Sequence, residues 1–189
     1  MATVTTQFRN LPAGLDIPDG DLVVFSGPNN SGKSSILKYI AKEPTEFDYV
    51  SPRRFDVSSE MSIEPNAEQQ RHNLLQQRRQ DNPNESEKQA PDPFRELVSM
   101  SNDDRQRVID WHNHYFGALT VERLEPSNDF SAPKILADGR ILPQQGSGSR
   151  AVLSVLVRLL DPRLPGLCID EPEIGIEPVT QRRLAELIK

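Results

Sequence analysis

Gly27-Pro28-Asn29-Asn30-Ser31-Gly32-Lys33-Ser34 fits the phosphate-binding loop pattern G-x-x-x-x-G-K-[ST] at every fixed position, and this octapeptide decides the fold class. Before it, Leu22-Val23-Val24-Phe25 is a short apolar run that predicts a buried strand. After it, Ser35-Ile36-Leu37-Lys38-Tyr39-Ile40 has helical spacing. Glycines at 27 and 32 let successive backbone N–H groups turn inward around an anion, where a side chain would obstruct the approach. Lys33 is placed to reach the β- and γ-phosphates of a nucleotide. The Ser34 hydroxyl suits Mg2+, a cation that prefers oxygen ligands and keeps some of its waters. The helix beginning here aims its positive dipole end at the anion. The residues expected to contact nucleotide are therefore Gly27, Asn29, Asn30, Ser31, Gly32, Lys33, Ser34 and Ser35. The competing explanation is a chance match that binds nothing, and the strand-like and helix-like flanks count against it.

Composition bounds the rest. A chain of 189 residues suits one domain, with room for an inserted subdomain. Lys and Arg total 22 against 28 Asp and Glu, a formal net charge of −6, so no global basic field announces nucleic acid, although a local groove is compatible with it. The single Cys168 excludes an internal disulfide framework, and Met1-Ala2-Thr3-Val4-Thr5-Thr6-Gln7 lacks the basic flank and apolar stretch of a signal peptide. The apolar run Ala151 to Leu160, broken by Ser154 and Arg158, is far too short for a membrane span. The chain reads as cytoplasmic.

Along the chain, strands are expected at Val4 to Arg9 and at Phe47 to Val50. Between Ser58 and Pro93 the composition shifts to Gln, Asn, Glu, Arg and Pro, which reads as a solvated insertion or a partner-binding arm. Order returns with helices at Phe94 to Met100 and after Ser101-Asn102-Asp103-Asp104. In the second of these, Val108, Trp111, His112, Tyr115 and Phe116 recur on one face expected to be buried, and Gly117 closes the helix. His112 and His114, two residues apart, point to different helix faces and make a poor metal pair. Leu119 to Leu124 alternates like a strand, and Lys134 to Leu142 reads as a hairpin around Asp138-Gly139. The organisation expected is one half of an α/β core at 1–57, carrying the phosphate loop, a polar and partly flexible helical insertion at 58–118, and the other core half at 119–189, incomplete at its C-terminus.

That second half carries two further motifs. Gln144-Gln145-Gly146-Ser147-Gly148-Ser149-Arg150 precedes Ala151 to Leu160, a segment apolar nearly all round and so expected to be a buried helix with a Gly- and Ser-rich N-terminus. Such an end is either an anion site or a flexible cap. Leu167-Cys168-Ile169 is a short apolar strand that delivers Asp170-Glu171-Pro172. Two carboxylates leaving a strand point in different directions and can divide two tasks: Asp170 holding the metal, Glu171 polarising an attacking water. Cys168, inside the strand, reads as core filler.

GPNNSGKSS at 27–35, QGSGSR at 145–150 and IDEPEIGIEP at 169–178 come in the order found in ABC-type ATPases, and the chain resembles their soluble SMC-, RecF- and OLD-like branch. Phe8-Arg9-Asn10 upstream of the loop is similar to that branch as well. The resemblance implies an α/β P-loop NTPase fold of ABC-ATPase type, a mixed sheet with flanking helices and a helical insertion. It also implies ATP and Mg2+ as ligands, with Ser34 and Asp170 at the metal and Glu171 and Lys33 as catalytic residues. Two copies would sandwich ATP, with Ser147 and Gly148 of one contacting the γ-phosphate held by the other, and Gly175-Ile176-Glu177-Pro178 would be the dimer-facing loop. The signature departs from the transporter form L-S-G-G-Q, because Gly146 takes the place of its serine and Ser149 that of its glutamine. Where the soluble branch reads L-H-P, this chain has Ile176-Glu177-Pro178, and no His lies downstream of Glu171 to serve as the branch's switch histidine. Ending at Lys189, the chain is expected to be a fragment or to have the rest supplied by a partner.

Three functions compete at this level. One is an ATP-hydrolysing engine that drives a nucleic-acid-related partner, such as a nuclease in genome maintenance or defence. Another is a nucleotide-dependent assembly switch with little turnover, its polar arm at 58–93 recruiting a partner. The third, a transporter's nucleotide-binding domain, fits the altered signature poorly. For adenine stacking, Phe8, Arg9 and Tyr39 are unranked candidates.

Overall fold

A three-residue apolar strand gains little alone, so the strands of this chain are held by what they pair with and what covers them. The computed structural model describes residues 2–5, 14–17, 22–42, 47–52, 93–123 and 133–188. Strands β1 (Ala2–Thr5) and β2 (Gly14–Ile17) form an antiparallel pair. Helix α1 (Lys33–Lys42) follows the phosphate loop. Strand β3 (Asp48–Val50) then pairs in parallel with β7 (Leu167–Ile169), Tyr49 opposite Cys168 and Val50 opposite Ile169. Between them in sequence lie α2 (Pro93–Ser99), α3 (Asn102–Tyr115), the antiparallel sheet β4 (Leu119–Arg123), β5 (Pro133–Ala137) and β6 (Arg140–Ile141), a 3-10 turn at Leu142–Gln144, and α4 (Ser147–Leu159). Helix α5 (Pro178–Ile188) comes last.

Alternation along β3 and β7 sorts their side chains onto two covered faces. Val50, Leu167 and Ile169 join the main core with Leu97, Met100, Val108 and the buried body of α4. Phe47, Tyr49 and Cys168 join Ile36 and Ile40 of α1. The parallel pair therefore lies between the helix of the phosphate loop and the apolar helix α4, which makes an α/β layer arrangement. From Ala151 to Arg158 every residue of α4 is buried, as its apolar composition predicted.

Arg158 is the exception to that composition. Its guanidinium is about 1% exposed and donates from Nε to Asp48 Oδ2 at 2.7 Å, from a terminal nitrogen to Glu96 Oε1 at 2.9 Å, and to the Ser154 carbonyl at 3.1 Å. One cation thus joins β3, α2 and α4. At the C-terminal end of α2, Arg105 donates to the carbonyls of Leu97, Val98 and Met100, satisfying groups that the helix itself cannot. Ser101 caps α3 by accepting the Asp104 N–H, the start that the sequence predicts.

The hairpin turn at Asp138-Gly139 also forms as expected, both residues having positive φ. The Asp138 carboxylate accepts the Ala118 N–H at 2.9 Å, and Gly117 must lack a Cβ because one would stand 2.9 Å from that carboxylate. His112 is buried with Nδ1 2.8 Å from the Gly117 carbonyl, and desolvation holds its pKa below the ordinary imidazole value. Trp111 departs from the predicted buried face: it is exposed and stacked on Tyr115, because the neighbouring elements cover only the stripe through Val108 and His112.

A larger departure concerns Leu22 to Phe25, predicted as a buried strand. No strand forms there, and Val24 is 75% exposed; among the described residues no ladder partner reaches this segment, and only Phe25 packs, against the α1 cluster. The predicted strand at Val4 to Arg9 is present as Ala2–Thr5, its remainder falling outside the described residues, as does the polar stretch at 58–92.

Removing Arg158 while leaving its two acids in place should be costly, because it strands buried carboxylates. Arg158→Met is expected to lower unfolding free energy by about 3–5 kcal/mol in urea titration, and a loss under about 1 kcal/mol would contradict the buried-pair account. Burial, with Asp48 adding to it, pushes the Cys168 thiol up to about 12. Cys168 should therefore resist an aromatic disulfide reagent at pH 8 in the folded protein and react on denaturation; rapid labelling of the native chain would contradict its placement.

Candidate functional site

The loop at 27–34 is shaped by backbone conformations that few residue types accept. Asn30 has φ 64° and Gly32 φ 90°, both in the left-handed region, where Gly is unstrained and Asn tolerated. A Cβ at Gly27 would stand 3.0 Å from the Ser31 hydroxyl, whereas one at Gly32 would meet nothing within 4 Å, so at 32 it is the backbone conformation and not space that favours glycine. The Ser31 N–H bonds to the Pro28 carbonyl at 3.3 Å and closes a turn. Lys33 folds back beneath it, Nζ donating to the carbonyls of Gly27 and Pro28 at 2.9 Å each, so its ammonium is held at the loop's mouth.

Helix α1 makes its first intrahelical bond from the Ile36 N–H to the Gly32 carbonyl. The N–H groups of Lys33, Ser34 and Ser35 precede that bond and lie at the positive end of the helix. Asn29, Asn30, Ser31 and Ser35 are exposed, while Gly32, Lys33 and Ser34 are half-buried. The loop and the helix terminus together bring the positive helix end, one cation and several hydroxyls to one place, a chemistry suited to an anion.

Across from α1, Asp170 leaves the end of β7. The Asp170 N–H bonds to the Val50 carbonyl at 3.0 Å, which carries the parallel ladder one residue beyond the strand. Two positions after Cys168, Asp170 takes the same sheet face, the one covered by the phosphate-loop helix. Its carboxylate is buried and accepts the Tyr49 hydroxyl at 2.8 Å. Glu171 behaves differently: it is exposed, with φ 47° in the residue before Pro172. A non-glycine residue held there stores on the order of 1–3 kcal/mol of strain, a cost that recurs where a side chain is aimed for function.

The donor set fits Mg2+ in one specific way. Among the described residues no group of three or more His, Cys, Asp or Glu could by itself hold a metal ion. One hydroxyl, Ser34, and one buried carboxylate, Asp170, instead suit a metal that completes its shell with phosphate oxygens and water. His112 and His114 take no part, the first bonded to the Gly117 carbonyl and the second edge-on to Tyr115.

At the start of α4, Ser147 is exposed and Gly148 half-buried, and both lie beside the turn that follows Glu171. The Ser147 hydroxyl is 3.4 Å from the Gly175 carbonyl, and a Cβ at Gly148 would stand 3.2 Å from the same oxygen. The Gly-Ser helix end and the Gly175-Ile176 segment, separate in sequence, thus touch within one chain, and the close backbone approach explains glycine at 148. Among the adenine-stacking candidates Tyr39 is exposed on α1, and Phe8 and Arg9 lie outside the described residues.

Tyr49 was not singled out by sequence. Nothing local distinguishes it from a core tyrosine, and only its register opposite Cys168 places it beside Asp170. Asp48 was missed too, although a signal existed: an arginine inside an otherwise apolar helix requires an acidic partner.

No curated protein and no solved structure matches the chain. Residues 42–189 match the family described as "AAA domain, putative AbiEii toxin, Type IV TA system". That match begins beyond the phosphate loop, so the loop motif and the family match are separate observations pointing to the same α/β fold. With most of its length matched, the chain belongs to this family of AAA domains, and it is a P-loop AAA-type ATPase domain.

Proposed function

We propose that this chain binds and hydrolyses ATP, dimerises around it, and uses the cycle to drive an effector. The observation that carries the reading is the shared packing of α1 and β7. Ile36 and Ile40 from the phosphate-loop helix and Cys168 from the carboxylate-bearing strand belong to one cluster, so the loop and Asp170 are built onto the same side of the sheet.

The N–H groups at 33–35 and the Lys33 ammonium, released from its loop carbonyls, bind the β- and γ-phosphates. Ser34 and Asp170 would hold Mg2+, which would supply charge neutralisation to the transferring phosphoryl group. Glu171 accepts a proton from the attacking water as the bond from γ-phosphorus to the bridging oxygen breaks, leaving ADP and phosphate. Ser147 and Gly148 of a second copy approach the γ-phosphate from the far side, so that the dimer closes on ATP and opens after hydrolysis. The family description names a toxin of a type IV toxin–antitoxin system, which favours defence over genome maintenance as the setting, with a nuclease or other nucleic-acid-related effector as partner. The polar arm at 58–93 is the stretch proposed to recruit such a partner. No helix among the described residues is long and apolar enough to cross a membrane, and a transporter role has no support in the altered signature.

Lys33→Ala is expected to weaken ATP affinity about tenfold or more, the loss that accompanies deleting a charge-assisted hydrogen bond of about 1.5–3 kcal/mol. Unchanged affinity in a calorimetric titration would sink the loop assignment. Glu171→Gln should keep ATP binding, lower turnover by about 100-fold or more, and accumulate an ATP-bound dimer in light scattering. Turnover equal to wild type would remove Glu171 from the chemistry, and ATP binding without turnover in the wild type would replace the engine by a switch.

A further inference from the structure

Asp170 is the carboxylate proposed for the metal site, and the direction in which its oxygens point decides whether it can serve a cation. Tyr49 bears on that direction. Its hydroxyl donates to Asp170 Oδ2 at 2.8 Å from the neighbouring strand. Tyr49 itself is held at three points. Its backbone lies in the parallel ladder opposite Cys168, and its N–H donates to Asp48 Oδ1 at 2.9 Å. Its ring packs in the cluster of Ile36, Ile40 and Cys168, with Lys38 Nζ 5.8 Å from the ring centroid. Lys38 stands one helical turn after Ser34 on α1. One side chain therefore touches the helix that carries the hydroxyl ligand and the carboxylate that completes the metal site.

We infer that Tyr49 is a positioning residue that fixes the Asp170 carboxylate, relative to the phosphate-loop helix, in the orientation that binds a divalent cation together with nucleotide. The inference deepens the ATPase reading and rests on it. A hydrogen bond to a metal-ligating carboxylate orients it without touching the metal, and loss of such a partner typically costs about 10- to 100-fold in metal affinity. A tyrosine that only fills the core would also find a partner for its hydroxyl. The two roles differ in what removing the oxygen changes.

Tyr49→Phe keeps the ring, its apolar packing and the Lys38 contact. Mn2+ binding, followed by electron paramagnetic resonance in the presence of a non-hydrolysable ATP analogue, should weaken about tenfold or more in this variant. Analogue affinity measured in EDTA and the thermal midpoint should stay at wild-type values. Wild-type Mn2+ affinity in Tyr49→Phe would overturn the inference and leave the ATPase reading standing. Equal weakening with and without metal, or a collapsed thermal midpoint, would assign Tyr49 to the core and overturn it too. Should the wild type bind the analogue no better with Mn2+ than in EDTA, both the ATPase reading and this inference fall.

Discussion

The parallel pairing of Asp48–Val50 with Leu167–Ile169 is the constraint on which the site depends. Only three residues long on each side, it joins segments more than a hundred residues apart in sequence and fixes the facing of everything attached to them. With Tyr49 opposite Cys168, the odd-numbered members of β7 face α4 and the even-numbered ones face α1. Asp170 then emerges on the side of the phosphate loop. A slip of one residue would turn Asp170 toward α4 and bring Ile169 to the loop, undoing the site and exposing core together. Loop closure over so long a separation is expensive, so the pair persists only because both of its faces are covered by helices.

Arg158 guards that register. Its guanidinium reaches Asp48 from α4 while also holding Glu96 of α2, and the other Asp48 oxygen takes the Tyr49 N–H. A hydrophobic trio could fill the same space, and burying ions brings no certain gain in stability. What the ions add is direction: a carboxylate at position 48 facing anywhere but α4 would deprive the buried cation of one of its two acidic partners. The same cluster links β3, which packs against α1, to the helix whose first residues are Ser147 and Gly148. The two motifs proposed to act on ATP are therefore tied through one buried charge, not through a flexible connection.

Much of this was legible in the sequence because local chemistry suffices for it. The glycines and lysine of the loop carry their own signal, and so do the acidic start of α3 behind Ser101, the Asp138-Gly139 turn and the apolar run of α4, which the structure forms as expected. What was not legible depends on partners far along the chain. Leu22 to Phe25 has strand composition, yet composition supplies no ladder neighbour, and the segment lies exposed beside the α1 cluster. Trp111 keeps helical spacing with Val108 and His112, but spacing does not reveal how wide a stripe the neighbouring elements cover. Tyr49 is the sharpest case: its contact with Asp170 is invisible until the register of two short strands is known.

The central claim is that the loop at 27–34 and the carboxylates at 170–171 form one nucleotide site. A crystal structure of the chain with Mg2+ and a non-hydrolysable ATP analogue tests it most directly. Lys33 Nζ should have moved from its loop carbonyls onto the phosphates, and a single metal should be bonded to the Ser34 hydroxyl and reached by Asp170 directly or through one water. A nucleotide bound elsewhere, or one in the loop whose metal lies out of reach of Asp170, would contradict it.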